Sequence, residues 1–333
     1  MGLLQSKILG TGMYVPKKVV TNFDLEKTLN TSDKWIYERT GIKQRHISSS
    51  EGGEYPSDMA LHATQDALAM AGLKPNDIDI ILFATLTPDY RVPNTASILQ
   101  TKLGITNQCA CLDMNAACTG FVYGHYLAHS MIQTGMAKNV LLLGGELLSQ
   151  EVDWQERTVS ILCGDGCGAA VIGPAREGDE SQFLGGYLGA DGTGREFFLH
   201  ETGGSARPIT EEILRKRQNF MTMRGKELFK VATRTLANNA RKVLEKTKVR
   251  VEEIDWMVPH QANLRIIEKA GDLLNFPREK IIINVEKYGN TSAGTVPIAL
   301  HEAIGDGRIK RGDLVLLNAF GAGLTFGANL IRF

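Results

Sequence analysis

AMAGLKPNDIDIILFATLTP, residues 69–88, and VLEKTKVRVEEIDWMVPHQA, residues 243–262, follow one plan. Each segment contains the end of a helix, a polar turn, an acidic lead-in and an apolar strand. A second pair of segments, 115–145 and 289–321, repeats a turn, a helix and a strand. Both pairs are separated by about 175 residues, which indicates an internal repeat. The chain is therefore predicted to consist of two duplicated α/β halves.

The strands of both halves are nearly continuous apolar runs, such as IDIILFAT, NVLLLGG and LVLLNAF. Strands of this kind are buried on both faces, so helices are expected on both sides of mostly parallel sheets. The predicted fold is a five-layer α/β/α/β/α arrangement in which the halves share the central helices. The first half covers residues 1–180 and contains a candidate nucleophilic cysteine. The second half covers 181–333, contains a candidate histidine and asparagine, and includes a surface insertion at about 181–222.

Composition argues against several classes of function. The 333 residues include 37 basic and 37 acidic side chains, so no charge excess suggests a nucleic acid or membrane partner. The apolar runs are too short to span a bilayer. Five cysteines, an odd number, and no recognisable export signal favour a reducing compartment, and a cytoplasmic location is expected. The pairs CAC and CGDGC lack zinc-finger spacing, so no metal site is predicted.

The run MNAACTGF, residues 114–121, places Cys118 among small residues between a predicted strand and a predicted helix. In open α/β sheets, ligands bind at the carboxyl ends of the strands. A helix N-terminus has free N–H groups and a partial positive charge, so it is expected to lower the pKa of a thiol there. Cys118 is thus a candidate nucleophile, although a buried core cysteine would show the same pattern.

The second half supplies two further polar side chains at corresponding places. His260 ends the predicted strand DWMVPH, and Asn290 lies in YGNTSAGTVPIAL, the duplicated counterpart of the cysteine turn. A polar strand cap and a turn-forming asparagine are the structural alternatives. The duplication is expected to bring these segments together, and Cys, His and Asn at one point are typical of acyl transfer.

The segment FGAGLTFGANL, residues 320–330, is a glycine-rich turn in the second half. Its N–H groups, together with that of Cys118, are suited to an oxyanion hole. A strand bend or a phosphate site would have a similar composition, but no P-loop or complete dinucleotide fingerprint is present.

DMNAACTGF, VPHQANLRII, YGNTSAGTVPIAL and FGAGLTFGANLIRF together resemble the β-ketoacyl-acyl carrier protein synthase III family of the thiolase superfamily. TSDKWIYERTGIKQRHI, residues 31–47, resembles the same family, and the motifs extend over nearly the whole chain in order. The resemblance implies a thiolase-like fold, a homodimer and a decarboxylative Claisen condensation that initiates fatty acid biosynthesis. It also implies acyl-CoA and malonyl-acyl carrier protein as substrates, with no cofactor besides the coenzyme A thioester.

The same resemblance implies roles for individual residues. Cys118 would carry the acyl group, and His260 and Asn290 would donate hydrogen bonds to the malonyl thioester oxygen. The N–H groups of Cys118 and Ala322 would hold the oxyanion, and Trp35 and Arg157 would sandwich the adenine. The coenzyme A contacts would be Trp35, Arg39, Thr40, Arg157, Gly225, Phe229, Ala262 and Asn263. The carrier-protein contacts would be Gln261, Ala262, Asn263, Leu264 and Arg265. The acyl-pocket residues would be Val92, Cys163 and Leu188.

Two stretches differ from the commonest pattern of that family. Val92 stands where a bulky phenylalanine often caps the acyl pocket, so a primer longer than acetyl is an open alternative. The stretch after Arg265, residues 269–272, has fewer lysines than usual, so the patch expected to meet the carrier protein is less basic.

Of four alternative functions, the sequence leaves the first open and argues against the other three. A specialised condensing enzyme of a secondary-metabolite pathway would share the fold and use CoA thioesters. A thiolase would need a second catalytic cysteine near the C-terminus, and none follows Cys167. A hydroxymethylglutaryl-CoA synthase would need a glutamate near the cysteine, and no sequence motif shows one. A non-catalytic partner subunit would lack the nucleophile, which is present here.

Overall fold

The computed structural model describes residues 4–49 and 54–333. The strands in these ranges are β1 (Ser6–Tyr14), β2 (Val19–Thr21), β3 (Gln44–His46), β4 (Ile80–Ala84), β5 (Ala110–Met114), β6 (Val140–Leu147), β7 (Asp165–Pro174), β8 (Gln182–Ala190), β9 (Phe198–Leu199), β10 (Thr222–Met223), β11 (Trp256–Pro259), β12 (Leu314–Gly321) and β13 (Thr325–Arg332). The α-helices are α1 (Asn22–Leu25), α2 (Asp33–Thr40), α3 (Pro56–Ala71), α4 (Thr95–Lys102), α5 (Gly120–Gln133), α6 (Arg157–Ser160), α7 (Glu211–Arg215), α8 (Gly225–Thr247), α9 (Leu264–Leu274), α10 (Val285–Tyr288) and α11 (Thr295–Gly305). None of the helices in these ranges is both long and apolar enough to cross a membrane.

The strands form two mixed sheets, with the orders β1-β7-β6-β4-β5 and β11-β12-β13-β8. β4 runs parallel to β5 and β6, and β11 runs parallel to β12. The β6–β7, β7–β1, β12–β13 and β13–β8 pairs are antiparallel. The prediction of mostly parallel sheets is therefore wrong. All of β6 and nearly all of β7 are buried, and a strand covered on both faces is apolar whichever way its neighbour runs.

Helices α5 and α11 lie between the two sheets and form the central layer. α5 packs against β6 and β13, and α11 packs against β7 and β11. On the outer faces, α3 covers β1 and β7, and α8 covers β12 and β13. The predicted five-layer α/β/α/β/α fold is thereby confirmed. Phe121 of α5 is completely buried in the core between the sheets, and burial of such a side chain contributes about 1.5–3 kcal/mol.

Strand β8 shortens the insertion that the sequence predicts at about 181–222. Residues 182–190 pair with β13, from Gln182 opposite Arg332 to Ala190 opposite Thr325, and complete the second sheet. Three glycines in QFLGGYLGA weaken the apolar pattern of this strand, which explains why its sequence resembles a loop. The inserted part begins after β8 and contains the short β9–β10 pair and α7.

The duplication is visible in two equivalent turns at the centre of the molecule. Asn115 Oδ1 accepts the Ala117 N–H at 3.1 Å before α5, and Asn290 Oδ1 accepts the Ser292 N–H at 2.8 Å before α11. Ala117 and Ser292 have matching positive φ angles of 48° and 50°. The two turns contact each other, so the N-termini of α5 and α11 meet at one place.

Strand β5 is an open edge of the first sheet. It pairs with β4 on one side, and no strand within residues 4–49 and 54–333 pairs with its other side. Leu112 on this strand is 47% exposed. Asn94 Nδ2 donates to Cys111 O at 3.0 Å and holds the loop that precedes α4 against the same strand. An unpaired apolar edge of this kind is a surface on which another chain can add strands.

Candidate active site

Cys118 lies in the turn that leads into α5. Its side chain is buried, with 7% of its surface exposed. Thr325, the first residue of β13, ties this turn to the second half of the chain. Its hydroxyl lies 2.7 Å from the Thr119 hydroxyl and donates to Ala116 O at 2.8 Å. The candidate nucleophile is thus held in place by hydrogen bonds between the two halves.

Burial raises the pKa of the Cys118 thiol to about 11, because the thiolate loses its hydration. The Ser292 hydroxyl and the backbone N–H groups of Cys118 and Ala322 lower the pKa of this thiol. The Glu146 carboxylate nearby raises it further. The prediction of a lowered pKa is therefore wrong. Hydrogen-bond donors do face the sulfur at this helix start, but desolvation outweighs them.

His260 directly follows β11, and its backbone N–H donates to Asn318 O of β12 at 2.8 Å. The imidazole is buried, with Nδ1 2.7 Å from the Thr295 hydroxyl at the start of α11. Burial lowers the pKa of this histidine to about 3. The ring is consequently neutral at physiological pH, and it can act as a hydrogen-bond donor or acceptor but not as a stable cation.

Asn290 is oriented by the turn in which it lies. Its Oδ1 accepts the Ser292 N–H, which leaves the Nδ2 group as the free, donating end of the amide. The backbone N–H of Asn290 donates to Leu162 O at 2.8 Å, and its carbonyl accepts the Gly164 N–H at 3.0 Å. The residue is therefore fixed on both sides by a segment of the first half.

The glycine-rich turn between β12 and β13 approaches the cysteine closely. A Cβ atom on Gly321 would lie 2.8 Å from the backbone nitrogen of Cys118, so only glycine fits there. The backbone N–H groups of Ala322 and Cys118 both lower the pKa of the Cys118 thiol. Two backbone donors that converge on one point have the arrangement of an oxyanion hole.

A cavity of about 760 Å³ contains Cys118, His260 and Asn290 in its wall. Its volume suits a small organic ligand rather than a macromolecule. The eight residues predicted to bind coenzyme A all line it: Trp35, Arg39, Thr40, Arg157, Gly225, Phe229, Ala262 and Asn263. Ala322, Arg265 and Cys163 also lie in its wall. The sequence motifs thus come together around one space.

Two guanidinium groups lie over the indole of Trp35, which is in the wall of this cavity. The Arg39 Cζ lies 4.3 Å and the Arg157 Cζ 4.5 Å from the centre of the indole. Arg157 also donates to Asn30 O. The predicted adenine sandwich of Trp35 and Arg157 is therefore closed in this structure, since the two side chains stack directly on each other. An adenine ring would enter only if Arg157 moved away.

Four predicted site residues do not line this cavity: Gln261, Leu264, Val92 and Leu188. Gln261 is buried, and its amide bonds Pro259 O, Ile282 O and the Asn284 N–H. Its side chain is structural and cannot reach a carrier protein. Leu188 packs in the core between the sheets. Val92 is 85% exposed within its own chain.

Sequence reasoning missed two polar residues beside the nucleophile, Glu146 of β6 and Ser292. Glu146 is completely buried, and Ser292 Oγ donates to its Oε1 at 3.2 Å. A single charge inside the apolar run VLLLGGEL is an unusual feature that could have drawn attention to Glu146. Phe198 and Met223, from the inserted β9–β10 pair, also line the cavity.

The described ranges, 4–49 and 54–333, contain no group of three or more His, Cys, Asp or Glu side chains arranged to hold a metal ion. All five cysteines are free thiols. The functional groups in the cavity wall include a buried thiol, a neutral imidazole, a carboxamide and backbone donors.

Comparisons with known proteins identify the family of this chain. A family model described as 3-oxoacyl-[acyl-carrier-protein (ACP)] synthase III matches residues 112–192, and the model of its C-terminal part matches 244–333. The chain is 47% identical to the β-ketoacyl-[acyl-carrier-protein] synthase III of Caldanaerobacter subterraneus, over 98% of this chain and 97% of that protein.

Two solved structures are similar over nearly their whole lengths. The crystal structure of 3-oxoacyl-[acyl-carrier-protein] synthase III from Aquifex aeolicus has a TM-score of 0.90 and 46% identity, covering 98% of this chain and 100% of that one. The priming β-ketosynthase of the R1128 polyketide pathway has a TM-score of 0.90 and 30% identity, covering 99% and 96%. Fold and matches together define an acyltransferase of the condensing-enzyme class. The chain belongs to the β-ketoacyl-[acyl-carrier-protein] synthase III family.

Proposed function

We propose that the protein takes an acyl group from acyl-CoA onto Cys118 and condenses it with malonyl-acyl carrier protein, the first condensation of fatty acid biosynthesis. One observation carries this proposal. Cys118, His260 and Asn290 come from three separate segments and share the wall of one cavity with the predicted coenzyme A contacts. The family name supports an acyl carrier protein as the acceptor.

In the acylation step, the Cys118 sulfur attacks the thioester carbonyl and coenzyme A leaves. The N–H groups of Cys118 and Ala322 stabilise the negative charge on the carbonyl oxygen. Both N–H groups lower the pKa of the Cys118 thiol, which supports their action at the reacting centre, and removal of one such donor typically slows an enzyme about 100–1,000-fold. Because the thiol has a raised pKa, the step also requires a group that accepts its proton.

In the condensation step, His260 and Asn290 donate hydrogen bonds to the malonyl thioester oxygen while carbon dioxide leaves. The resulting enolate attacks the acyl carbon on Cys118. The geometry of Asn290 supports this role, because its Oδ1 is already occupied and its Nδ2 is free to donate. This role requires the Nε2–H tautomer of His260, in which the Thr295 hydroxyl donates to Nδ1 at 2.7 Å instead of to Ser292 O at 2.9 Å. A neutral donor stabilises the enolate without protonating it.

Coenzyme A is proposed to bind along Trp35, Arg39, Thr40 and Arg157, with Arg157 moving off the indole. Phe229, Gly225, Ala262 and Asn263 would then line the pantetheine arm. The exposed guanidinium of Arg265 is proposed to meet an acidic helix of the carrier protein, with Leu264 beside it. The proposed contact does not include Gln261, because its side chain is buried.

A place in fatty acid synthesis is favoured over a secondary pathway. The relative that is named β-ketoacyl-[acyl-carrier-protein] synthase III is 47% identical, whereas the polyketide priming enzyme is 30% identical. We also propose a homodimer that pairs through the β5 edge and a cytoplasmic location. The exposed Leu112 supports the dimer, and five free thiols are consistent with a reducing compartment.

The test is acylation by a panel of acyl-CoAs, followed by intact-protein mass spectrometry. Wild type is expected to retain one acyl group, and Cys118→Ala is expected to retain none while keeping its fold. Cys163→Ala is the matched control, because Cys163 lines the same cavity and is also buried. An acyl group that persists on Cys118→Ala, or that maps to Cys163, would contradict the proposal.

A further inference from the structure

Glu146 is a buried carboxyl group that the proposed mechanism does not use. It belongs to β6, whose eight residues are all buried. Within residues 4–49 and 54–333, no lysine, arginine or histidine forms a salt bridge with it. A carboxylate in such a place normally has a charged partner or a function. Glu146 has neither a cation nor solvent beside it, so its hydrogen bonds must account for its presence.

The two carboxylate oxygens of Glu146 have different surroundings. Oε2 accepts four hydrogen bonds, from the Thr85 hydroxyl at 3.0 Å, the Leu86 N–H at 3.0 Å, the Thr87 N–H at 3.1 Å and the Thr87 hydroxyl at 2.7 Å. Oε1 has one hydrogen-bond partner, the Ser292 hydroxyl at 3.2 Å. Oε2 is therefore held as an acceptor by the segment after β4, and Oε1 is the oxygen that can take up a proton.

Ser292 connects Glu146 with the nucleophile. Its hydroxyl donates to Glu146 Oε1 at 3.2 Å, and it lies beside the Cys118 thiol, whose pKa it lowers. A hydroxyl can donate to one of these groups while it accepts from the other, so a proton can pass in either direction. The equivalent turn in the first half has Ala117 in the same left-handed conformation. The fold of the turn therefore does not require a hydroxyl at this position.

We propose that Cys118, Ser292 and Glu146 form a proton relay in which Glu146 takes the thiol proton when Cys118 attacks and returns it when the cysteine is released. This rests on the acyl-Cys118 intermediate proposed above. During acylation, the sulfur–acyl bond forms, the acyl–CoA bond breaks, and the thiol proton moves through Ser292 to Glu146. The departing CoA thiolate takes a proton from solvent. During condensation, the carbon–carbon bond forms and the sulfur–acyl bond breaks. The Cys118 thiolate then regains its proton from Glu146 through Ser292.

The other titratable groups near the pair cannot take this role. Burial lowers the pKa of His260 to about 3, so it is a weak base. Burial raises the pKa values of Cys163 and Cys167, so both remain neutral thiols. Burial likewise raises the pKa of Glu146, to about 7. A carboxyl group with that pKa can exchange a proton with a thiol near neutral pH.

The relay predicts a characteristic pH dependence for alkylation of Cys118 by iodoacetamide. In wild type, the reactive form is the Cys118–Glu146 pair that has lost one of its two protons. This form accumulates as the pH rises to about 7. The rate should therefore flatten above that pH. In Glu146→Gln, the thiol ionises alone, and the rate should rise about tenfold for each pH unit until the thiol is ionised. The variant should overtake wild type at alkaline pH, because no carboxylate opposes its thiolate.

Two further variants keep the test decisive. Ser292→Ala keeps all four hydrogen bonds to Glu146 Oε2. This variant should be alkylated more slowly at every pH, because the Cys118 thiolate loses a hydrogen-bond donor. Asp165→Asn removes another buried carboxyl group whose pKa is raised, to about 6, and should keep the wild-type profile. A wild-type rate without an inflection near pH 7, or a Glu146→Gln rate reduced by one factor at every pH, would overturn the relay. So would a Ser292→Ala profile identical to wild type.

Alkylation requires no acyl-CoA, so its result is separate from the proposed function. A wild-type protein that fails to accept acyl groups would contradict the proposed function, while the alkylation profiles would still decide the relay. With acyl-CoA as the second reagent, the acylation rates of the four proteins should follow the same profiles.

Discussion

At the scale of single residues, burial favours the neutral forms of two candidate catalytic side chains. Burial lowers the pKa of His260, so the ring is neutral near pH 7, and burial raises the pKa of Cys118, so its thiol is mostly protonated there. The three candidate catalytic residues were recognisable because each follows a strand or begins a helix within a distinctive motif. Glu146 could not be recognised in this way. It is connected to Cys118 through Ser292, and Ser292 is 146 residues from Glu146 along the chain. Contacts of that range depend on how the two halves pack.

The proposed donors can be separated from the nucleophile by substitution. His260→Ala and Asn290→Ala should each slow decarboxylation of malonyl-acyl carrier protein about 100–1,000-fold, because each removes a donor to the enolate oxygen. Both variants should still accept an acyl group on Cys118, as measured by intact mass. His62→Ala, at an exposed histidine, is the control and should match wild type. Normal decarboxylation in both donor variants would refute their assignment.

At the scale of strands and helices, continuous apolar runs predicted the buried strands but could not give their directions. The hydrophobic pattern reports burial on both faces, whereas direction depends on the connection between strands. β8 was missed for a different reason, since its glycines resemble those of a turn. The two turns before α5 and α11 followed from the repeat, because the same local hydrogen bond recurs at Asn115 and Asn290.

The contact between β6 and the second of these turns leaves no room for a side chain. A Cβ atom on Gly144 would lie 2.3 Å from Ala293 O. Gly144→Ala should therefore destabilise the protein by about 1–3 kcal/mol and displace the turn that holds Asn290. Thermal denaturation should show a lower midpoint than for Gly305→Ala, because a Cβ on Gly305 meets no atom within 4 Å. Equal midpoints for the two variants would contradict this prediction, because they would mean that the turn accommodates the methyl group without loss of stability.

At the scale of the whole molecule, one chain contains all three candidate catalytic residues but leaves an apolar strand edge open. β5 has no partner on its outer side within the described residues, and Val92 and Leu112 are exposed near it. Sequence reasoning anticipated that Val92 contributes to an acyl pocket, yet the pocket of its own chain lies elsewhere. If Val92 acts on primer choice, it does so from the partner across the proposed dimer.

Primer choice gives a test of that arrangement. Val92→Phe should fill the space that a longer primer would occupy and should shift the preference toward acetyl-CoA. Three buried methylenes contribute about 2.4 kcal/mol, so the ratio of kcat/KM values for a medium-chain primer and acetyl-CoA should fall by up to roughly 50-fold. Leu214→Phe, at an exposed leucine on α7, serves as the control. An unchanged primer profile in Val92→Phe would exclude this residue from the pocket.

The most direct test of the central claim is a single turnover in two stages. Wild-type protein is first acylated with acyl-CoA and freed of coenzyme A, and malonyl-acyl carrier protein is then added. Intact mass spectrometry should show the enzyme losing its acyl group as the carrier protein gains the corresponding β-ketoacyl chain, in equal amounts. Loss of the acyl group by hydrolysis alone, or a β-ketoacyl product formed by Cys118→Ala at the same rate, would contradict the account.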